Sequence, residues 1–114
     1  MFYIPLVTIF ANAMKLIEMN MDKIVALCKK HKVAKLGVFG SILTDRFTDD
    51  SDVGLSVIFD SGKIPLLDRA DYFFDFIHDL KAVVNREIDM VCDDAVRNSI
   101  FRKELDSTKR LIYG

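Results

Sequence analysis

Four residues have types and spacings that would let them work together on a phosphate ester: Gly40, Ser41, Asp52 and Asp89. A glycine at the end of a strand lets backbone approach a ligand closely, and the N–H groups at a following helix start point toward an anion. Gly40-Ser41 is suited to holding phosphate, although the same pair also marks plain turns. Asp52 opens a strand on which positions 52, 54 and 56 share a face. Carboxylates at i and i+2 of one strand, joined by a third from a neighbouring strand, make an oxygen cage of the kind Mg²⁺ takes together with substrate phosphates. Asp52 and Asp89 are candidates for two of those three ligands. Position 54 is glycine, Ser56 is a neutral and poor donor to Mg²⁺, and Asp49 and Asp50 fall in the preceding loop.

The elements that must position these residues are legible from periodicity. From Asp22, the apolar residues Ile24, Val25, Leu27 and Cys28 predict a helix capped by Asn20. It ends before Val33, with Lys29, Lys30, His31 and Lys32 at its positive-preferring terminus. Lys35–Phe39 reads as a strand, Ile42–Arg46 as the start of a helix behind the glycine turn, and Asp49-Asp50-Ser51 as loop. Asp52–Phe59 is a second strand, rich in branched and aromatic residues and closed by Ser61-Gly62.

Along Leu66–Val84 a helical face carries Leu66, Ala70, Phe73, Ile77, Leu80 and Val84, opposite a solvated stripe of Asp68, Asp71, Asp75 and Asp79 with His78 beside it. Tyr72 and Phe76 flank the apolar face and offer either ordinary core or a partner surface. Arg86–Cys92 alternates as a third strand with Asp89 in its middle. Asp93 is placed to cap the segment after it, and Ser99–Tyr113 has the spacing of a terminal helix.

The chain has 114 residues, 51% hydrophobic and 29% charged, which suits one folded domain and leaves no room for a second catalytic one. A formal charge of −1 lacks the positive excess that a nucleic-acid-binding module uses against phosphates, so a long nucleic acid is not the expected partner. Cys28 and Cys92 match no metal or redox spacing and read as buried, reduced thiols of a cytoplasmic protein. The apolar segment Met1–Met14 is shorter than the ~20 residues of a spanning helix and lacks a basic leader, so no membrane role is expected. Residues 1–20 are set apart as an apolar amino-terminal extension: an added strand, a dimer contact that would make a homo-oligomer, or the product of an upstream start codon. Residues 21–114 form the domain proper.

With these residues in view, VFGSILTDRFTDDSDVGLSVIF resembles the Gly-Ser, ten-residue, Asp-x-Asp signature of the nucleotidyltransferase superfamily that includes the DNA polymerase β catalytic core. REIDMV resembles the strand carrying that family's third carboxylate, and SIFRKELDSTKRLIYG the closing helix of its smallest, antitoxin-type members. The resemblance spans Asp22 to Gly114 and departs at one site, where Gly54 stands in place of the second aspartate. It implies the polymerase β-like α+β fold, a small mixed β-sheet with helices mainly on one face and the Asp52 and Asp89 face left open as a shallow cleft. It also implies transfer of a nucleoside monophosphate, AMP from ATP, to a hydroxyl, with the help of two Mg²⁺ ions. Gly40 and Ser41 would contact the triphosphate, Asp52 and Asp89 would ligate metal, and Asp89 would orient or deprotonate the nucleophile.

Minimal relatives imply a tyrosine acceptor on an all-helical toxin partner. Gly54 removes a charge and a shared ligand, so catalysis is expected to be weak or absent; loss of one stabilising group commonly costs ~10²–10³ in rate. The alternative is a degenerate antitoxin or scaffold that acts by protein contact alone.

Overall fold

The computed structural model describes residues 14–40, 48 and 50–114. The expectations for residues 1–13, for Ser41, for the helix start at Ile42–Arg46 and for Asp49 lie outside the described residues.

Residues 14–19 are helical and lead through a turn at Asn20 into helix α1, Met21–Lys30. Strand β1 (Val33–Phe39), strand β2 (Val53–Phe59), helix α2 (Arg69–Val84), strand β3 (Ile88–Cys92), helix α3 (Ser99–Thr108) and strand β4 (Arg110–Tyr113) come next, with short 3₁₀ turns at Ser61–Lys63, Leu66–Asp68 and Asp93–Ala95. The strands form one mixed sheet in the order β3-β2-β1-β4. β1 is antiparallel to both β2 and β4, and β2 is parallel to β3. A parallel pair needs a long crossover, and α2 supplies it.

Helix α1 stops where His31 caps it by donating its backbone N–H to the Leu27 carbonyl at 2.9 Å. Lys32 then takes a left-handed φ of 58° and turns the chain into β1. Helix α2 ends the same way, with Asn85 at φ 56° and its N–H 2.8 Å from the Lys81 carbonyl. Asparagine tolerates that conformation better than most residues.

Alternation sorts the central strands into two faces. Leu36, Val38, Val53, Leu55 and Val57 are buried on one face with Ile24 and Cys28 of α1 and Phe76, Leu80 and Val84 of α2. Ile17, three residues before α1's preceding turn, belongs to the same core. On the other face lie Gly37, Phe39, Gly54 and Ser56, and α3 meets this side through the edge-on contact of Phe101 with Phe39, ring centres 6.2 Å apart.

Several expectations are corrected. The terminal helix does not run to Tyr113: it ends at Thr108, and Arg110–Tyr113 becomes β4 because the free edge of β1 offers unpaired backbone groups that a strand can satisfy. The long helix begins at Arg69 instead of Leu66, and Leu66 and Ala70, expected on its apolar face, are exposed. Phe76 is no flank or partner surface. It is fully buried between His31 and Phe59, with ring centres at 5.4 and 6.1 Å. Asp79 leaves the solvated stripe to accept hydrogen bonds from His31 Nε2 at 2.7 Å and Lys30 Nζ at 3.1 Å, and these hold its carboxyl below the usual range. Cys28 is buried and its thiol is pushed up to about 12 by burial, whereas Cys92 is only half-buried. Among the described residues, no helix is long and apolar enough to cross a membrane.

Candidate active site

The site is assembled where the end of β1 meets the start of β2 and of β3. Phe39 is paired across the sheet with Gly54, and Gly54 is paired on its other side with Asp89. Asp52 lies immediately before β2, exposed, and Asp89 is exposed in β3. A cleft of about 320 Å³ is lined by Phe39, Gly40, Ser51, Asp52, Gly54 and Asp89. The structure therefore brings together Gly40, Asp52 and Asp89, which are far apart in the sequence. Ser41 lies outside the described residues, so its part in the turn rests on the sequence.

Gly40 has a φ of 82°, the left-handed region, and a side chain added there would meet nothing within 4 Å. Its glycine is required by backbone conformation, and the open space beyond it is what a phosphate needs in order to approach the backbone.

The loop entering β2 is held by a residue that the sequence did not single out. Arg86 donates from Nη2 to the Ser51 carbonyl at 2.7 Å and to the Thr48 carbonyl, and from Nε to the Ser51 carbonyl at 3.3 Å. Thr48 and Ser51 close the same turn through Thr48 N–H to Ser51 Oγ at 2.9 Å. The Val53 N–H donates to the Glu87 carbonyl at 2.9 Å, so the chain on both sides of Asp52 is fastened. The only signal for Arg86 in the sequence is its place just before the strand bearing Asp89.

Asp52 and Asp89 are hard oxygen donors at the mouth of one cleft, which fits a single divalent cation held mainly through a ligand's phosphates. They do not fit the pair of cations that the resemblance implies. Gly54, two residues after Asp52 and paired with Asp89, supplies no donor, and among the described residues no three carboxylate, imidazole or thiol groups gather into a metal cage.

Residues 22–114 match the model of the family described as Polymerase beta, Nucleotidyltransferase. The chain belongs to this nucleotidyltransferase family. A Methanocaldococcus jannaschii protein, provisionally named a protein adenylyltransferase, is 25% identical over 84 residues, covering 74% of this chain and 79% of its own. A solved toxin–antitoxin structure with AMP-PNP superposes with a TM-score of 0.62 at 16% identity, over 82% of this chain and 72% of that one. The MntA–HepT toxin–antitoxin structure gives a TM-score of 0.58 at 15% identity, covering 85% and 72% of the two chains. A structure provisionally named a minimal nucleotidyltransferase also gives 0.58, at 22% identity over 82% and 91%. At these identities the solved structures speak for the fold of this nucleotidyltransferase.

Proposed function

We propose that this nucleotidyltransferase is an antitoxin-type protein adenylyltransferase: it transfers AMP from ATP to a hydroxyl, a tyrosine on a helical toxin partner, at a rate held low by Gly54. The observation that carries this reading is the convergence of Gly40, Asp52 and Asp89 on one open cleft. An open cleft suits an acceptor delivered by another protein. The protein adenylyltransferase relative and the toxin–antitoxin structure with AMP-PNP support the nucleotide and the acceptor class.

The Gly40-Ser41 turn binds the triphosphate by backbone approach. Asp89 accepts the proton of the attacking hydroxyl as its oxygen bonds to the α-phosphorus, and the bond from that phosphorus to the β-phosphate bridge breaks to release pyrophosphate. Asp52 and Asp89 would hold one Mg²⁺, which when bound would offset the negative charge of the phosphates. Arg86 keeps the Thr48–Ser51 turn in place so that Asp52 faces the cleft. The working unit is residues 21–114, acting in the cytoplasm where ATP is at hand. Of the residues before 21, Ile17 adds to the core packing.

A second reading, antitoxin action by contact alone, is favoured by Gly54. The two are separated by mass spectrometry of a toxin partner incubated with the chain, ATP and Mg²⁺. A mass gain of one AMP on a partner tyrosine, lost with Asp52→Asn, supports transfer. A stable complex with no mass gain supports contact.

A further inference from the structure

Gly54 is more than a missing ligand. A Cβ added at this position would lie 2.6 Å from the Phe39 carbonyl oxygen, 3.3 Å from its carbon and 3.2 Å from Phe39 Cε2. The two longer contacts are tight, but a Cβ does not come within 2.6 Å of an oxygen, and that oxygen is backbone, so the end of β1 would have to move. What it would carry with it is the next residue, Gly40, whose left-handed φ of 82° forms the turn at the cleft wall. Phe39 cannot swing aside freely either, because its ring is edge-on to Phe101 of α3.

We propose that Gly54 is a positioning residue for the phosphate turn: the Phe39–Gly40 backbone has settled into the volume that a side chain at 54 would fill. In this chain an aspartate at 54 and the present seat of Gly40 exclude each other. A single cation at Asp52 and Asp89 would then be the full complement of the site, and a carboxylate restored at 54 would not make room for a second. The sign is the useful part. If charge alone mattered, Gly54→Asp would strengthen ATP·Mg²⁺ binding and Gly54→Ala would be neutral. If the close approach matters, both substitutions push the turn outward and both weaken binding.

The inference rests on the nucleotide-site reading, and the test keeps the two apart. Gly54→Ala and Gly54→Asp are compared with the natural chain and with Gly62→Ala, a control because a Cβ there would meet only Asp60 Oδ1 at 3.7 Å. Thermal midpoints without ligand and titration calorimetry with ATP, with and without Mg²⁺, are the readouts. Both Gly54 variants are expected to melt several degrees lower, and both to bind ATP about tenfold or more weakly, with no recovery of Gly54→Asp by Mg²⁺. Failure of Gly54→Ala to fold while Gly62→Ala folds is the extreme form of the same steric result. Tighter ATP·Mg²⁺ binding by Gly54→Asp, or an unchanged midpoint for Gly54→Ala, overturns the proposal. If the natural chain binds no ATP while the midpoints fall as expected, the nucleotide reading fails and the close approach stands.

Discussion

Asp93 shows how one side chain can tie distant segments together. The sequence suggested a helix cap, but Asp93 is buried and faces Arg102 Nη2 at 2.8 Å and Lys109 Nζ at 2.5 Å, while its carbonyl accepts from Arg102 Nη1 at 2.6 Å. The cap of α3 is instead Asn98, whose Oδ1 accepts from the Ile100 and Phe101 N–H groups, each at 3.0 Å. Burial pushes the Asp93 carboxyl up, but the hydrogen bonds from Lys109 and Arg102 together outweigh it and hold the group below the usual range. A carboxyl depressed in the folded state contributes stability that is present above its unfolded pKa of about 3.9 and is lost as pH falls through its folded value. Thermal midpoints taken from neutral to acid pH should therefore fall less steeply for Asp93→Asn than for the natural chain, from a lower starting point. Arg86→Ala is expected to loosen the Thr48–Ser51 turn and weaken ATP binding with little change in midpoint, because Arg86 is only half-buried. Calorimetry beside thermal melting would show the split.

Among the elements, α3 and β4 decide how the carboxyl end closes the fold. Asn98 is exposed, so removing its side chain tests the cap with little loss of packing. Asn98→Ala is expected to cost about 1 kcal/mol in urea unfolding, the usual value for losing a capping oxygen. Among the described residues, β4 pairs only with β1, through Leu36–Tyr113, Gly37–Leu111 and Val38–Arg110. Deleting residues 110–114 would leave the β1 edge open, and an open edge recruits other chains. The expected result is concentration-dependent self-association, read by light scattering. The periodicity of Ser99–Thr108 was enough to read a helix. The strand after it was not legible, because four residues carry little pattern and their partner lies more than seventy positions earlier.

For the molecule as a whole, stability is concentrated on one face of the sheet. Phe76 joins α2 to His31 at the end of α1 and to Phe59 at the end of β2. Its truncation to alanine should cost about 3–5 kcal/mol. That is a large part of the ~5–15 kcal/mol that holds a typical native protein together. Phe76→Ala is therefore expected to be partly unfolded at 37 °C, as circular dichroism would report. The opposite face carries the candidate site. There Gly37, Gly54 and Ser56 replace bulk with close backbone approach, and Asp52 and Asp89 remain at the solvent.

The strand that follows Asp52, the strand bearing Asp89, a helix between them, the glycine turn and the absence of a carboxylate at 54 were legible in the sequence alone, although the first strand begins at Val53 and not at Asp52. Each is a matter of local periodicity, backbone freedom or side-chain type, which neighbours along the chain specify. Tertiary structure decided that Gly40, Asp52 and Asp89 share one cleft, that Arg86 fastens the loop before Asp52, that Asp93 anchors α3, and that β4 closes the sheet. It also decided what Gly54 means. Sequence reports a missing charge, whereas a Cβ at 54 would lie 2.6 Å from the Phe39 carbonyl oxygen, in a volume already taken. Charge belongs to a residue, but the space around it belongs to strands brought together only by folding.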